Sequence, residues 1–505
     1  MGENPSRLPQ LRWLLRIVLG ESVLRAVTER LEAFRRIRAV GTAPDLIAFA
    51  ILQVKLSPSL ERAADFATDA VPGRLSQSLS NKRAATVSGN AAFEAFGTEW
   101  RDVDPSLRRA VTLLSIAMDA PADRRAETLE DALEAVLDGA NERVVEFSTA
   151  IRGPAMGIYA FGVMLPLALV GLLPVLASNG GGLSTLALAI IYDLLIPFGL
   201  AGSALWLWGR RPAVTDRAFD AGLLAHATDR SRVLAAGALG AGMAVTGATA
   251  LTPDWVRPIV GGGVGCGIAL AYFLHPVVEE QGRLADLEVG LPDVLVVLGQ
   301  RLEEGAPLET IIEAVGARFD GPIGDLFERG AVRRDRSGDP VESVFLGEGG
   351  VLADVPNRRV RAALSLTTTA GEYGPAGGRT LQAVGGYLAE LFAVERESRR
   401  ELAQTTSTLT QTALVFAPAI AGVTVALATG MQSVEGTGQA LDVAALGRII
   451  GIYVLLLAAI LPSLSVVLER GFDPFRMGFQ SGVALAVASV VYPLSFVTAR
   501  SLVYV

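Results

Sequence analysis

Cysteine and histidine are almost absent from the chain. The single cysteine, Cys266, excludes an intramolecular disulfide framework and any metal site built from several cysteines. Its place in an apolar run is typical of a small packing residue. The two histidines, His226 and His275, cannot form the paired-histidine helix of a zinc hydrolase, and we interpret both as interfacial residues. We therefore expect no metal site.

Lysine is also scarce and occurs only at Lys55 and Lys82. A phosphate-binding P-loop needs Gly-Lys-Ser/Thr, and neither lysine stands in that context. A Gly-x-Ser-x-Gly nucleophile elbow is absent as well. The net charge of -8 argues against a nucleic-acid partner, because phosphate backbones attract clustered positive charge. We expect no catalytic residue and no cofactor, and we interpret the chain as a non-enzyme.

Long apolar runs are abundant. Apolar residues make up 51% of the chain and the mean hydropathy is +0.42, with the apolar residues concentrated in blocks. This pattern favours an all-α, polytopic membrane protein of about seven spans, with two repeated cytoplasmic helical-bundle domains. The predicted parts are a cytoplasmic domain at 1–150, spans 1 and 2 at 153–208, a cytoplasmic loop at 209–232, spans 3 and 4 at 233–278, a second cytoplasmic domain at 279–405, and spans 5, 6 and 7 at 406–430, 447–468 and 477–499.

Arginine in the short loops predicts how the spans are oriented. The loop at 209–232 is rich in arginine, and the loop between spans 6 and 7 carries Arg470 and Arg476. The turns at 178–182 and 431–447 carry no basic residue. Since basic residues accumulate on the cytoplasmic side, we expect a multi-pass protein of the cell membrane. Its N-terminus and both large polar domains would then lie in the cytoplasm.

A polar stretch at 291–328 has a weaker copy near the N-terminus. Pro292 lies 248 residues after Pro44, and Leu308 lies the same distance after Leu60. A repeat of this kind has to be recognised before the fold is assigned. It predicts a duplicated helical module, with the first copy covering about 43–150.

Within the second copy, we predict a helix that starts at Pro292, a break at 305–307 and a second helix from Leu308. A turn follows at Gly321-Pro322. The apolar residues of the first helix share one face. They are Leu291, Leu295, Leu298 and Leu302.

One acidic residue, Asp193, lies in the middle of a predicted span. An ionisable group there is costly and raises the hypothesis of a functional site, such as a proton relay. An aspartyl protease would need a second intramembrane aspartate, which the other predicted spans lack. We favour a buried acid bonded to a neighbouring group, with Tyr192 and Ser203 close in sequence.

Predicted span 4 contains two overlapping Gly-x-x-x-Gly spacings, Gly261 with Gly265 and Gly263 with Gly267. Glycines four residues apart allow helix backbones to approach closely in lipid. They predict either a tight hairpin with span 3 or a contact in a homo-oligomer.

Two stretches, one in the second polar domain and one that runs from it into span 5, resemble the type II secretion F family. They are LPDVLVVLGQRLEEGAPLETIIEAV, at 291–315, and the arginine-led run at 358–422 that begins RRVRAALSLTTTAGEYGPAGG. The resemblance covers about 284–430 clearly and 43–173 weakly. In the first copy, Ser57 replaces Gly305, which suggests a more structural role for that domain.

The resemblance implies a non-enzymatic platform protein of the inner membrane. This family serves type II secretion, type IV pili, Tad pili and the archaellum. Its members are expected to contact a cytoplasmic hexameric ATPase and to couple it to the insertion of pilin-like subunits into a filament. Two cytoplasmic domains and the arginine-rich, lysine-poor composition resemble the archaeal versions.

Charged residues of the second polar domain are the candidates for the ATPase-docking surface, although each could equally be part of a solvated face. The candidates are Glu303, Glu304, Arg333, Arg334, Arg336, Arg358, Arg359 and Arg361. Glu395 and Arg399 are spaced as a favourable pair on a solvated helix face.

The alternative function is a transporter with a site near Asp193 and the glycine-rich hairpin of spans 3 and 4. Repeats in transporters are usually repeats of spans. Here the repeat lies in polar helices, which favours the platform.

Overall fold

A computed structural model describes residues 36, 39–71, 73–178, 184–210, 223–224, 227–249, 252–353, 355, 357–434 and 442–503. Every regular element in these ranges is a helix, and no strand occurs among them. His226, Arg211, Arg217 and the predicted turn at 179–182 lie outside the described residues. The chain divides into two compact units. Described residues up to Glu142 belong to the first unit, and those from Arg143 onward belong to the second.

The first unit is a bundle of short helices around one central helix. Nearly every residue of α1 (Ala43–Leu56) is buried, as is typical of a helix that is apolar on all sides. The other helices are α2 (Leu60–Ala70), α3 (Arg74–Ala85), α4 (Gly89–Trp100), α5 (Pro105–Asp119) and the start of α6 (Ala122–Tyr159).

The second unit combines a polar bundle with the apolar helices. Three of the apolar helices are interrupted by a widened π-helical turn. The first part consists of π1 (Ala160–Met164), α7 (Leu165–Ser178), α8 (Thr185–Ala189), π2 (Ile190–Leu195), α9 (Ile196–Arg210) and α10 (Arg230–Thr249). The polar bundle consists of α11 (Arg257–Glu303), α12 (Leu308–Arg318), α13 (Gly321–Ser337), α14 (Val341–Leu346), α15 (Arg358–Glu372) and α16 (Pro375–Gln411). The chain continues with π3 (Thr412–Phe416), α17 (Ala417–Val434), α18 (Val443–Arg470) and α19 (Pro474–Val503).

The predicted apolar face at the end of α11 is confirmed. Leu291, Leu295 and Leu298 are fully buried and Leu302 is 3% exposed. The predicted break is confirmed as well, because Gly305 has a φ of 86°, a backbone conformation that favours glycine. The chain therefore turns between α11 and α12 where the sequence predicted it.

The predicted helix start at Pro292 is wrong. Pro292 lies inside α11, a continuous helix of 47 residues that begins at Arg257. The predicted short helix is therefore the last part of a long one that also contains predicted span 4. Gly321 and Pro322 are the first residues of α13 rather than an isolated turn. A proline is tolerated in the first turn because the amide it lacks has no helical partner there.

Within the described residues, six helical stretches are long and apolar enough to cross a membrane. They are Arg124–Leu172, Thr185–Gly209, Asp254–Glu303, Pro375–Gly430, Val443–Arg470 and Pro474–Leu502. Helix α10, at the place of predicted span 3, is outside this set. Several candidate spans are thus present, but the count of seven stays a prediction.

Glu61 connects two helices of the first unit. Its Oε1 accepts a hydrogen bond of 2.6 Å from the amide of Gly89, and its Oε2 accepts one of 3.0 Å from the Ser59 hydroxyl. Gly89 begins α4, so its amide has no partner within that helix. The hydrogen bond from Gly89 lowers the pKa of Glu61 below its usual value.

We expect Glu61→Gln to lower the free energy of unfolding of the first unit by about 0.5–1 kcal/mol near neutral pH, a small effect because solvent screens the site. A lowered folded-state pKa stabilises the fold above the unfolded-state pKa, and this stabilisation is lost as the pH falls through the folded-state value. The difference between wild type and variant should therefore shrink in acid. Pulse proteolysis of the full-length protein in urea measures it. Glu94→Gln, an exposed change on α4, is the matched control, and equal urea midpoints for both variants at neutral pH would contradict the expectation.

Candidate functional site

The predicted docking residues lie at two levels of the polar bundle. Glu303 and Glu304 stand at the end of α11, whereas Arg359 contacts Glu288 earlier in the same helix. At 1.5 Å per residue, Glu288 and Glu303 are about 22 Å apart along the helix axis. The predicted set therefore does not form one continuous surface.

Glu303 and Glu304 are both exposed. Glu303 accepts a 2.9 Å hydrogen bond from Gln382, and Glu304 pairs with Arg301 at 3.3 Å. Exposed contacts of this kind contribute little to stability. Both carboxylates therefore stay accessible to a partner.

Arg333, Arg334 and Arg336 lie in the last turns of α13. Arg333 donates a 2.7 Å hydrogen bond to the Gly349 carbonyl, and Arg334 pairs with Glu313 at 3.3 Å. Arg336 is exposed. Two of these three arginines thus hold neighbouring segments of the bundle.

Arg358, Arg359 and Arg361 begin α15 but have different surroundings. Arg358 is exposed, and Arg361 donates a 2.8 Å hydrogen bond to the Leu352 carbonyl. The side chain of Arg359 is only 17% exposed. Its charge is therefore largely enclosed, which makes Arg359 a weaker candidate for the docking surface than the exposed Arg358.

Arg359 instead forms a buried ion cluster that joins α11, α15 and α16. Its Nη1 lies 2.6 Å from Glu288 Oε1 and 3.7 Å from Glu395 Oε1. Its guanidinium group also lies 5.7 Å from the centre of the Phe392 ring, and Arg399 contacts the second oxygen of Glu395 at 3.3 Å. Glu288 and Glu395 are 5% and 7% exposed. The cluster holds three helices in one register.

Sequence reasoning missed Glu288, although a signal was present. Glu288 precedes Leu291 by three residues and Leu295 by seven, which puts a carboxylate on the apolar face of α11. A carboxylate on such a face needs a buried partner. The predicted pair of Glu395 and Arg399 exists, but Glu395 faces the interior instead of solvent.

A proline follows each of the π turns, at the second position beyond its end. These prolines are Pro166, Pro197 and Pro418. Proline lacks the amide that an α-helix needs and its ring clashes with the carbonyl four residues earlier. A widened turn relieves the clash, and such turns occur frequently at functional sites.

Two tyrosines satisfy carbonyls around π1. Tyr453 of α18 donates a 2.7 Å hydrogen bond to the carbonyl of Gly162, whose α-helical donor would be the missing amide of Pro166. Tyr192 of π2 donates one of 2.9 Å to the carbonyl of Pro166 itself. The two rings meet edge to face at 5.4 Å. The tyrosines thereby connect π1, π2 and α18.

A side-chain hydroxyl also bonds to the carbonyl four residues before a proline in α11. Pro276 lies inside that helix, and the carbonyl four residues before it belongs to Tyr272. The hydroxyl of Thr228 donates a 3.1 Å hydrogen bond to this carbonyl. Since lipid offers no hydrogen-bond donors, such side chains replace the amides that the prolines lack.

Asp193 follows Tyr192 in π2. Tyr192 donates to Pro166 and Ser203 donates to Gly199, so neither predicted neighbour bonds to the aspartate. Its Oδ1 is buried and has no hydrogen-bond partner among the residues that the structure describes.

The glycine pairs of α11 face two different helices. Gly261 and Gly265 face α10, whereas Gly263 and Gly267 face α19. A Cβ atom on Gly267 would lie 2.6 Å from the backbone nitrogen of Ala486, so only glycine permits this approach. Both pairs thus pack inside the chain, as a hairpin with α10 and as a close contact with α19.

We expect Arg359→Ala to lower the free energy of unfolding by about 3–5 kcal/mol, because it leaves two buried carboxylates without their shared cation. Arg358→Ala is the control, one position away and exposed, and should change stability by less than about 0.5 kcal/mol. Thermal unfolding of the full-length protein in detergent compares the two. Equal midpoints would show that the cluster does not stabilise the bundle.

We expect Tyr453→Phe to cost about 1 kcal/mol, since it removes the donor to Gly162 without changing the ring. Pro166→Ala restores a backbone amide near that carbonyl. The loss caused by Tyr453→Phe should therefore be smaller in the Pro166→Ala background, which a double-mutant cycle of unfolding in mixed micelles measures. Strictly additive effects would contradict the assignment. Tyr272→Phe, on an exposed ring, is the control.

The Arg359 cluster and the hydrogen bonds from tyrosine to carbonyl indicate what this region of the molecule can do. It aligns polar and apolar helices, and it satisfies backbone carbonyls inside the candidate spans. No family model, curated protein or solved structure matches this chain.

Proposed function

We propose that the chain is the membrane platform of a type IV pilus-like or type II secretion-like assembly machine, of the archaeal kind. In this role it couples a cytoplasmic hexameric ATPase to the insertion of pilin-like subunits into a filament, and it catalyses no reaction itself. The N-terminus and both polar bundles lie in the cytoplasm of the cell that carries it. The resemblance of the stretches at 291–315 and 358–422 to the type II secretion F family supports this proposal.

The observation that carries the proposal is the continuity of two helices between the polar bundle and the candidate spans. Helix α11 runs for 47 residues without a loop, and α16 continues through π3 into α17. A helix transmits a displacement along its axis, whereas a flexible loop would absorb it. A force applied to the polar bundle therefore reaches the membrane helices directly.

Close backbone contact makes α11 and α16 a single stiff pair. A Cβ atom on Gly299 would lie 2.5 Å from the Gly378 carbonyl oxygen, and one on Gly385 would lie 2.8 Å from that of Pro292. If one helix slid along the other, larger side chains would replace the glycines at the contact and would clash. Together with the Arg359 cluster, this contact favours movement of the bundle as one body.

Polar contacts then connect the pair to the last two apolar helices. Thr406 of α16 donates a hydrogen bond to Glu469 of α18, and Thr410 donates one of 3.1 Å to Ser465. Gln281 of α11 donates one of 3.3 Å to Asp473, which stands just before α19. Movement of the pair would thus reach α18 and α19 as well.

The order of the helices supports a duplicated cytoplasmic module. Helix α12 begins and ends 248 residues after α2. In both halves a long helix, α6 or α16, continues into a π turn and then an apolar helix, with Pro166 and Pro418 in the same place. Two such modules suit a platform that contacts a ring-shaped motor.

The transporter alternative has less support. It requires Asp193 and the glycine-rich hairpin to share one site. The space beside the hairpin glycines of α11 is occupied mainly by atoms of α10 and α19. Asp193 is the one charged residue in π2.

Replacement of Gln404, an exposed residue where α16 enters the apolar region, tests the coupling. Gln404→Pro should interrupt the helix, at a cost of about 3 kcal/mol. When this variant is expressed in a strain from which the gene is deleted, no filaments should form. Gln404→Ala should restore them. Electron microscopy of the cells measures filaments, and immunoblots of membranes confirm equal amounts of protein. Filaments in the deletion strain itself would refute the proposed function, and filaments with Gln404→Pro would refute coupling through α16.

A further inference from the structure

Helices α15 and α5 each carry arginines near their start, and some of these arginines have different surroundings. In α15, Arg359 is neutralised by two buried glutamates and Arg361 is bonded to the Leu352 carbonyl. In α5 of the first unit, Arg108 and Arg109 are both exposed. Neither guanidinium group has an ion pair or hydrogen bond within the part of the chain that the structure describes. Arg359 is thus enclosed within its bundle, whereas Arg108 and Arg109 are open to solvent.

These two arginines line a surface groove of about 500 Å³ at the junction of α4 and α5. Its walls are formed by Arg101, Pro105, Arg108, Arg109, Thr112 and Leu113. Asp102 also lines it, at 3.2 Å from Arg101 in a pair whose side chains are 52% and 85% exposed. The groove therefore carries a net positive charge, although the whole chain carries -8.

The position of these charges is unfavourable for the helix itself. Arg108 and Arg109 lie within the first five residues of α5, where the helix dipole disfavours cations. The capping carboxylate of Asp104 accepts hydrogen bonds from the Ser106 and Leu107 amides. This carboxylate is engaged with the helix backbone, and an anionic group bound at Arg108 and Arg109 would add to the stabilisation of this end of the helix.

The groove also has an apolar side. Leu113 lines it, and Ile116, three residues further along α5, is 52% exposed. Basic residues beside an apolar stripe match a helix with acidic and apolar residues on adjacent faces. A purely ionic ligand would leave the stripe uncovered.

We infer that this groove docks an acidic amphipathic helix of a cytoplasmic partner protein. The inference rests on the proposed function and deepens it, because it assigns the motor-facing contact to Arg108 and Arg109 of the first unit. In α15 of the second unit, Arg359 holds its own bundle together instead. The groove is a docking surface and takes no part in any covalent step.

Fluorescence anisotropy with the full-length protein in detergent tests this assignment. The probe is a labelled peptide about five helical turns long, with a leucine stripe flanked by glutamates. Arg108→Glu combined with Arg109→Glu should weaken binding about tenfold or more and reduce its salt dependence. Arg74→Glu combined with Arg124→Glu is the matched control, because these exposed arginines also lie near helix starts of the first unit but outside the groove. The control should bind as wild type does.

Three results would overturn the inference. They are equal binding by the two double variants, equal binding of a scrambled peptide of the same composition, and absence of binding to wild type. A loss of binding to vesicles with anionic lipid, specific to Arg108→Glu/Arg109→Glu, would replace the protein partner by a lipid surface. Filaments restored by that variant in the deletion strain would refute the docking site while the proposed function stands.

Discussion

Backbone carbonyls inside a membrane cannot bond to water, and much of this fold depends on how they are satisfied. Prolines in the apolar helices remove amide donors, and the chain responds with widened turns and hydroxyl groups from neighbouring helices. The Tyr453 hydroxyl reaches Gly162, and the Thr228 hydroxyl reaches Tyr272. Each of these bonds ties a segment distant in sequence to the helix that needs the donor. The prolines thus create specific contacts between helices, in a solvent where apolar packing alone is not selective.

Outside the apolar region, a different constraint governs the polar bundle. Two long helices, α11 and α16, approach so closely that only glycine fits at Gly299 and Gly378. Arg359 fixes the register of the two helices, because it pairs with a buried carboxylate on each of them, Glu288 on α11 and Glu395 on α16. A buried ion pair adds little net stability compared with apolar packing, but it penalises every arrangement that leaves one charge unpaired. The proposed transmission of movement would require this kind of defined register.

Several features could be predicted from sequence because they depend on local rules. The apolar face from Leu291 to Leu302 is buried, and the chain breaks at Gly305, as the spacing and the glycine indicated. The start of a helix at Pro292 was predicted wrongly, since proline also signals the first turn of a helix and only the continuity of α11 excludes that interpretation. The docking residues were chosen by charge, which does not distinguish the exposed Arg358 from its buried neighbour Arg359. The partners of Asp193 were sought nearby in sequence, whereas the hydroxyls there bond to backbone carbonyls.

The sequence by itself determined that the chain is helical, that it contains several candidate spans, and where the apolar faces lie, because periodicity and composition act over neighbouring residues. Only the tertiary structure decided which charges are paired and which are open. Glu288 and Arg359 are 71 residues apart and Gly162 and Tyr453 are 291 apart, so no local pattern relates them. Contacts between distant residues also explain why Arg359 is enclosed by two glutamates, whereas Arg108 and Arg109 are exposed in a groove. Whether a charge stabilises the fold or stays exposed to a partner depends on the residues that pack against it, and these are brought together only in the folded chain.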